Sequence, residues 1–117
     1  MFNLNGTHIQ LTSGDTGLLT ILTGGEHKLT ENDRALFTVR RRNGGTMAEM
    51  ILTPDGDKVQ IPFTNDLTDG WKEEEYEWDI RFVLDPVIQN GKIVDGREVI
   101  TPMRPGKLTV YKAVGKV

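Results

Sequence analysis

The sequence predicts an all-β domain of the sandwich or barrel kind, and two observations carry that expectation. Turn signals recur about every ten residues, and the segments between them are short and rich in β-branched and aromatic side chains. The turns are Ser13-Gly14-Asp15, Gly24-Gly25, Asn43-Gly44-Gly45, Pro54-Asp55-Gly56-Asp57, Thr68-Asp69-Gly70, Asn90-Gly91, Asp95-Gly96 and Pro105-Gly106. They leave strands at 8–12, 17–23, 35–42, 47–53, 58–63, 75–84, 97–101 and 107–112. No long helix is expected.

The clearest strand is 75–84, in which Tyr76, Trp78, Ile80 and Phe82 alternate with Glu75, Glu77, Asp79 and Arg81. Successive strand side chains point to opposite faces, so the aromatic and aliphatic set enters a core and the charged set meets water. That core should also hold Phe37, Val39, Ile61 and Val110. The same alternation places Val59, Ile61 and Phe63 inside along 58–63, and Leu108 and Val110 inside along 107–112.

Segments 47–53 and 58–63 flank Pro54-Asp55-Gly56-Asp57, where proline presets one turn angle and glycine accepts a positive φ, so they read as a hairpin. Pro62 lacks a ladder donor, so its strand should lie at a sheet edge or end there. Thr64 to Asp69 is short and polar and reads as one helical turn crossing between two sheets. Between the sixth strand and the end of the domain, Val87-Ile88 and Ile93-Val94 flank Asn90-Gly91, the strongest short-range hairpin signal in the chain. A protruding hairpin is expected over 84–97. It is too small to bury both apolar pairs by itself, so Val87, Ile88, Ile93 and Val94 should pack on the sandwich or on another protein chain.

The chain has 117 residues, and no Pro/Gly/Ser-rich stretch divides it, so a single domain over 1–117 is expected. Fourteen basic and 17 acidic residues leave a net charge of -3, the wrong sign for a nucleic-acid partner. There are no cysteines, which removes disulfides, thiolate metal sites and cysteine nucleophiles and fits folding in a reducing cytosol. Met1 to Thr7 has neither the basic start nor the apolar core of a secretory signal, and no apolar run nears the roughly 20 residues of a membrane helix. A soluble protein is expected, with no membrane partner.

Candidate chemistry is sparse. His8 and His27 have no cysteine or second histidine nearby, whereas a metal site needs three or four converging donors. Asp55 and Asp57 lack the further carboxylates of a calcium loop and read as turn residues. Ser13, the only serine, has no nucleophile-elbow glycines and no evident base. Glu75 and Glu77 share a strand face but read as a solvated surface. No enzyme, cofactor or metal is expected. Two charge runs stand out: Arg40-Arg41-Arg42, and Glu73-Glu74-Glu75 with Glu77 and Asp79. If their strands are neighbours in one sheet, opposite charges pair across it; otherwise each run is solvated separately or meets another subunit.

Gly14-Asp15-Thr16, Asp33 to Arg40, Tyr76-Glu77-Trp78-Asp79-Ile80-Arg81, and Ile100-Thr101-Pro102 leading into Gly106 to Val110 occur in an order spanning nearly the whole chain. In that order they resemble a family of small phage tail and baseplate proteins, akin to the amino-terminal immunoglobulin-like domain of upper baseplate proteins. Departures are the acidic Trp71 to Glu75 approach and the long 84–97 excursion. The resemblance implies an immunoglobulin-like β-sandwich of about seven to nine strands with at most one short helical turn. It also implies a structural or interaction role in a virion, made in the host cytoplasm, with other virion proteins or copies of itself as partners. The alternative is a stand-alone carbohydrate- or host-surface-binding module in which an exposed Trp71 stacks on a sugar; a buried Trp71 is core instead.

Overall fold

The structure, a computed structural model, describes residues 1–23 and 28–114. Its elements are β1 (Phe2–Asn5), β2 (His8–Thr12), β3 (Gly17–Leu22), β4 (Arg34–Arg41), β5 (Thr46–Leu52), β6 (Lys58–Phe63), α1 (Asn65–Thr68), β7 (Glu75–Leu84), β8 (Val87–Gln89), β9 (Lys92–Asp95), β10 (Glu98–Ile100) and β11 (Gly106–Tyr111). The main sheet runs β1-β2-β11-β7-β4-β5, with β10 also on β7; β3 and β6 form a small facing sheet, and β8 and β9 a separate ribbon. β2 and β11 are parallel, and the other pairs antiparallel. In immunoglobulin terms β11-β7-β4-β5 occupy the G, F, C and C′ places, and β3 and β6 the B and E places. The fold is an all-β sandwich.

Its core forms because the alternation in β7 meets matching alternation across the gap. Tyr76, Trp78, Ile80 and Phe82 are buried together with Phe37, Val39, Ile61 and Val110, as expected. Phe37 on β4 meets Trp78 at 5.6 Å and, across the sandwich, the edge of Phe63 on β6 at 5.7 Å. Tyr76 carries a further signature of this architecture: at the start of β7 its hydroxyl donates to Lys72 O at 2.8 Å, closing the corner between the sheets. Burial, with the Glu74 carboxylate beside it, pushes the phenol above its ordinary pKa.

The short helical turn is α1, capped by Thr64, whose hydroxyl accepts from Leu67 N at 3.1 Å. Among the described residues β6 pairs with β3 alone, so Pro62 does lie on an edge strand. The hairpin expected around residues 54–57 is not formed. The turn closes, with Asp55 N donating to Lys58 O at 2.8 Å, but β5 pairs with β4 and β6 with β3 in the opposite sheet. Proline and glycine fix where the chain reverses; the edge it then joins is set by burial. Crossing the core lets Val59, Ile61 and Phe63 cover β4 and β7.

Asp79, expected in water, is only 8% exposed. Arg40 Nη2 on β4 lies 3.6 Å from its carboxylate, so the guanidinium shields it on the outer face of the sheet. β10 and β11 share one edge of β7 as a broken strand: Ile100 faces Phe82 and Gly106 faces Trp78, so residues 101–105 bulge out opposite residues 79–81. Pro102 and Pro105 lie in that break, where no ladder donor is needed.

β11 opens on Gly106, at the point where Trp78 Nε1 donates to Thr7 O at 2.9 Å. A Cβ on Gly106 would overlap both the Thr7 carbonyl and the indole. Gly106→Ala should therefore cost about 1–3 kcal/mol through overpacking. Tyr76→Phe should cost about 1 kcal/mol, the net value of one hydrogen bond. Urea unfolding of the two variants checks this, and an alanine at 106 as stable as wild type would refute the close approach.

Candidate interaction site

The ribbon leaves the sandwich where β7 ends, and its root is held by several contacts. Leu84 O accepts from Arg97 N at 2.8 Å, and Arg97 Nε pairs with Asp85 Oδ2 at 2.8 Å. Asp85 has φ 46, a left-handed conformation that aspartate tolerates better than most residues, and the turn redirects the chain out of the sheet. Asp33, 4% exposed, fixes that turn from the neighbouring loop. Its Oδ1 accepts from Asp85 N at 3.1 Å, and its Oδ2 accepts from Thr30 N at 2.8 Å and Thr30 Oγ1 at 3.2 Å. Burial raises the Asp33 pKa, but these hydrogen bonds and the Arg97 charge outweigh it and hold the carboxyl below its ordinary value. Gly96 closes the root by lying against Val83, which is why Val83 is buried on the outer sheet face.

Beyond the root the hairpin is the one expected. Asn90 (φ 53) and Gly91 (φ 73) form the tight turn, with Ile88 opposite Ile93 and Gln89 opposite Lys92. A bulge leaves Val87 opposite Asp95, so Val94 is the extra residue of β9. The apolar side chains are not taken up by the sandwich. Val87 is 46% exposed, Ile88 43% and Val94 55%, with Ile93 half-buried; Val99 on the adjoining β10 is 55% exposed. The geometry presents an apolar ribbon on a fixed root.

The arginines expected to interact sit across from the acidic run. β4 and β7 are neighbours, and Arg40 pairs with Asp79, Arg41 with Glu74 at 3.9 Å and Arg42 with Glu75 at 2.9 Å. The cross-strand reading holds. Most of these side chains are exposed to solvent, so each such pair contributes a few tenths of a kcal/mol and reinforces a register the core already sets.

Trp71 is core. It is 7% exposed, edge-on to Phe63 at 6.4 Å and tilted against Tyr76 at 6.2 Å. It forms the floor of a cleft of ≈ 690 Å³ between the Ser13–Asp15 turn, α1 and the 70–73 approach. Much of the polar wall of that cleft is spent within the protein. Ser13 Oγ donates to Thr68 O at 3.3 Å, Asn65 Nδ2 to Gly14 O at 2.7 Å, and Asp15 pairs with the Met1 ammonium. His8 is half-buried, its Nε2 2.7 Å from Thr109 Oγ1, and His27 lies outside the described residues. Among the described residues no three His, Cys, Asp or Glu side chains converge as a metal site, and no helix is long and apolar enough to cross a membrane.

Sequence reading missed Asp33, although Thr30 to Asp33 has the spacing of a side-chain-closed turn that could have marked it. It did not single out Val99, which is exposed on β10 just after the ribbon. Comparison of the chain with family models, with characterised proteins and with solved structures finds no match.

Two measurements probe this site. Because the folded pKa of Asp33 lies below the unfolded one, its stabilisation is present above about pH 3.9 and is lost as the pH falls through the lower folded value. Asp33→Asn should flatten that acid limb and lower stability at neutral pH by about 1–3 kcal/mol, since a buried donor loses its acceptor. Ile88→Ser, by contrast, should shift stability by less than about 0.5 kcal/mol. A large loss in urea unfolding would show that the ribbon supports the sandwich instead of standing free of it.

Proposed function

We propose that this protein is a non-catalytic interaction module, a structural component of a bacteriophage or prophage particle that docks other virion proteins through the 85–97 ribbon. The observation that carries the docking role is the pairing of a fixed root with an uncovered apolar ribbon. Solvent-facing apolar side chains grouped on one element mark protein contacts, and loops on a rigid scaffold commonly carry recognition. The placement in a tail or baseplate rests on the resemblance of the Phe37, Tyr76–Arg81 and Gly106–Val110 segments to that family. The negative net charge favours protein partners over nucleic acid. The carbohydrate reading gains weight from an exposed Trp71, whereas Trp71 is 7% exposed and packed in the core, which supports the docking reading over it.

Expression with the other structural proteins of the particle tests this reading. Wild type should co-purify with at least one of them, and a variant in which 86–95 is replaced by a short Gly/Ser turn should fold but lose it. Undiminished co-purification by the folded variant would eliminate the ribbon as the docking element, and binding to glycans alone would overturn the virion role.

A further inference from the structure

Resting on the reading of the ribbon as a docking element, we propose that it binds a second copy of this chain, ribbon to ribbon about a twofold axis. The first argument is area. The chain exposes 7277 Å², whereas a folded monomer of 13.1 kDa exposes about 6,400 Å². The excess is about 900 Å², and the exposed Val87, Ile88 and Val94 of the ribbon contribute to it. The radius of gyration, 14.6 Å, also exceeds the about 13.4 Å of a compact chain of this length.

The second argument is pairing. β8 and β9 form a sheet of two strands only, and an isolated two-stranded ribbon is marginal in water; three or more strands with an apolar face are needed. Two ribbons side by side make four. One contact then satisfies both copies, because an isologous interface presents the same patch from each. Ile88 and Ile93, directly opposite one another, put an apolar pair on one face of each ribbon.

The third argument is charge. At the root Asp85 and Arg97 neutralise each other. That leaves Lys92 beside the turn and Asp95 and Glu98 near the root, at opposite ends of the ribbon. Antiparallel packing of two ribbons brings Lys92 of each copy toward the acids of the other. Like charges are kept apart, and a strongly charged foreign partner finds no counterpart.

Sedimentation velocity across a concentration series is the test. Wild type should form a dimer, and Ile88→Asp should raise its dissociation constant at least about tenfold while leaving the urea midpoint unchanged at concentrations where both are monomeric. The chain has no cysteine, so single substitutions report geometry directly. Ile88→Cys or Val94→Cys should give disulfide-linked dimers on oxidation, and Leu18→Cys, 53% exposed on the facing sheet, should not. A monomer at every concentration, or a dimer that Ile88→Asp leaves intact, overturns the proposal. A monomer that still loses its co-purifying proteins when 86–95 is replaced overturns self-association alone; a monomer that keeps them overturns the docking role as well.

Discussion

Trp78 is the residue on which most of the remaining order depends. Its ring lies against Phe37 on the adjacent strand, its indole N–H reaches Thr7 O beside β2, and its backbone faces Gly106 at the start of β11. One buried side chain therefore fixes the spacing of β2, β11, β7 and β4. Because side chains alternate in a strand, fixing Trp78 inward also commits Tyr76, Ile80 and Phe82 to the core and Glu75, Glu77 and Arg81 to the outer face. The Arg40, Arg41 and Arg42 pairs follow from that register; they could not create it, since exposed ion pairs are individually weak.

The small facing sheet explains the shape of the core. β3 and β6 are only two strands, so they cover the middle of the large sheet and leave its margin at β5 partly open, where Ala48, Met50 and Leu52 are half-buried. The interior is accordingly concentrated between β4, β7, β11 and the β3–β6 pair, with Phe2 sealing one end against Phe63 at 5.1 Å. The sandwich is complete without the 85–97 ribbon. That independence is what frees the ribbon's side chains for a partner.

Features with a local cause were legible in the sequence. The alternation of 75–84, the Asn90-Gly91 turn and the Thr64-capped helical turn each follow from a few adjacent residues, and each stands where it was expected. Features with a distant cause were not. Pro54 and Gly56 mark a reversal but carry nothing about whether β6 joins β5 or crosses to β3. Asp79 sits in a pattern of exposed acids and is buried because Arg40, far away in sequence, lies over it. β1 went unread because Phe2-Asn3-Leu4-Asn5 is short and half asparagine, a residue depleted in strands; its pairing with β2 makes it one. Within the site, the ribbon and its apolar residues were legible, whereas Asp33, which anchors it, was not, because its contact with Asp85 spans 52 positions.

The break between β10 and β11 separates two regimes of local stability. β11 is hydrogen-bonded on both edges, to β2 and β7, and its inward residues are fully buried. β10 pairs over three residues with β7 alone, and the excess of residues at 101–105 interrupts the ladder before the strong half begins. Cooperative opening propagates along continuous ladders, so it stops at that interruption. Residues 98–100 thus belong to a different stretch of ladder from Leu108 and Val110, and the packing of the strong half does not run through them. Amide exchange along this one edge of β7 should divide at Pro102, fast on the ribbon side and slow on the other.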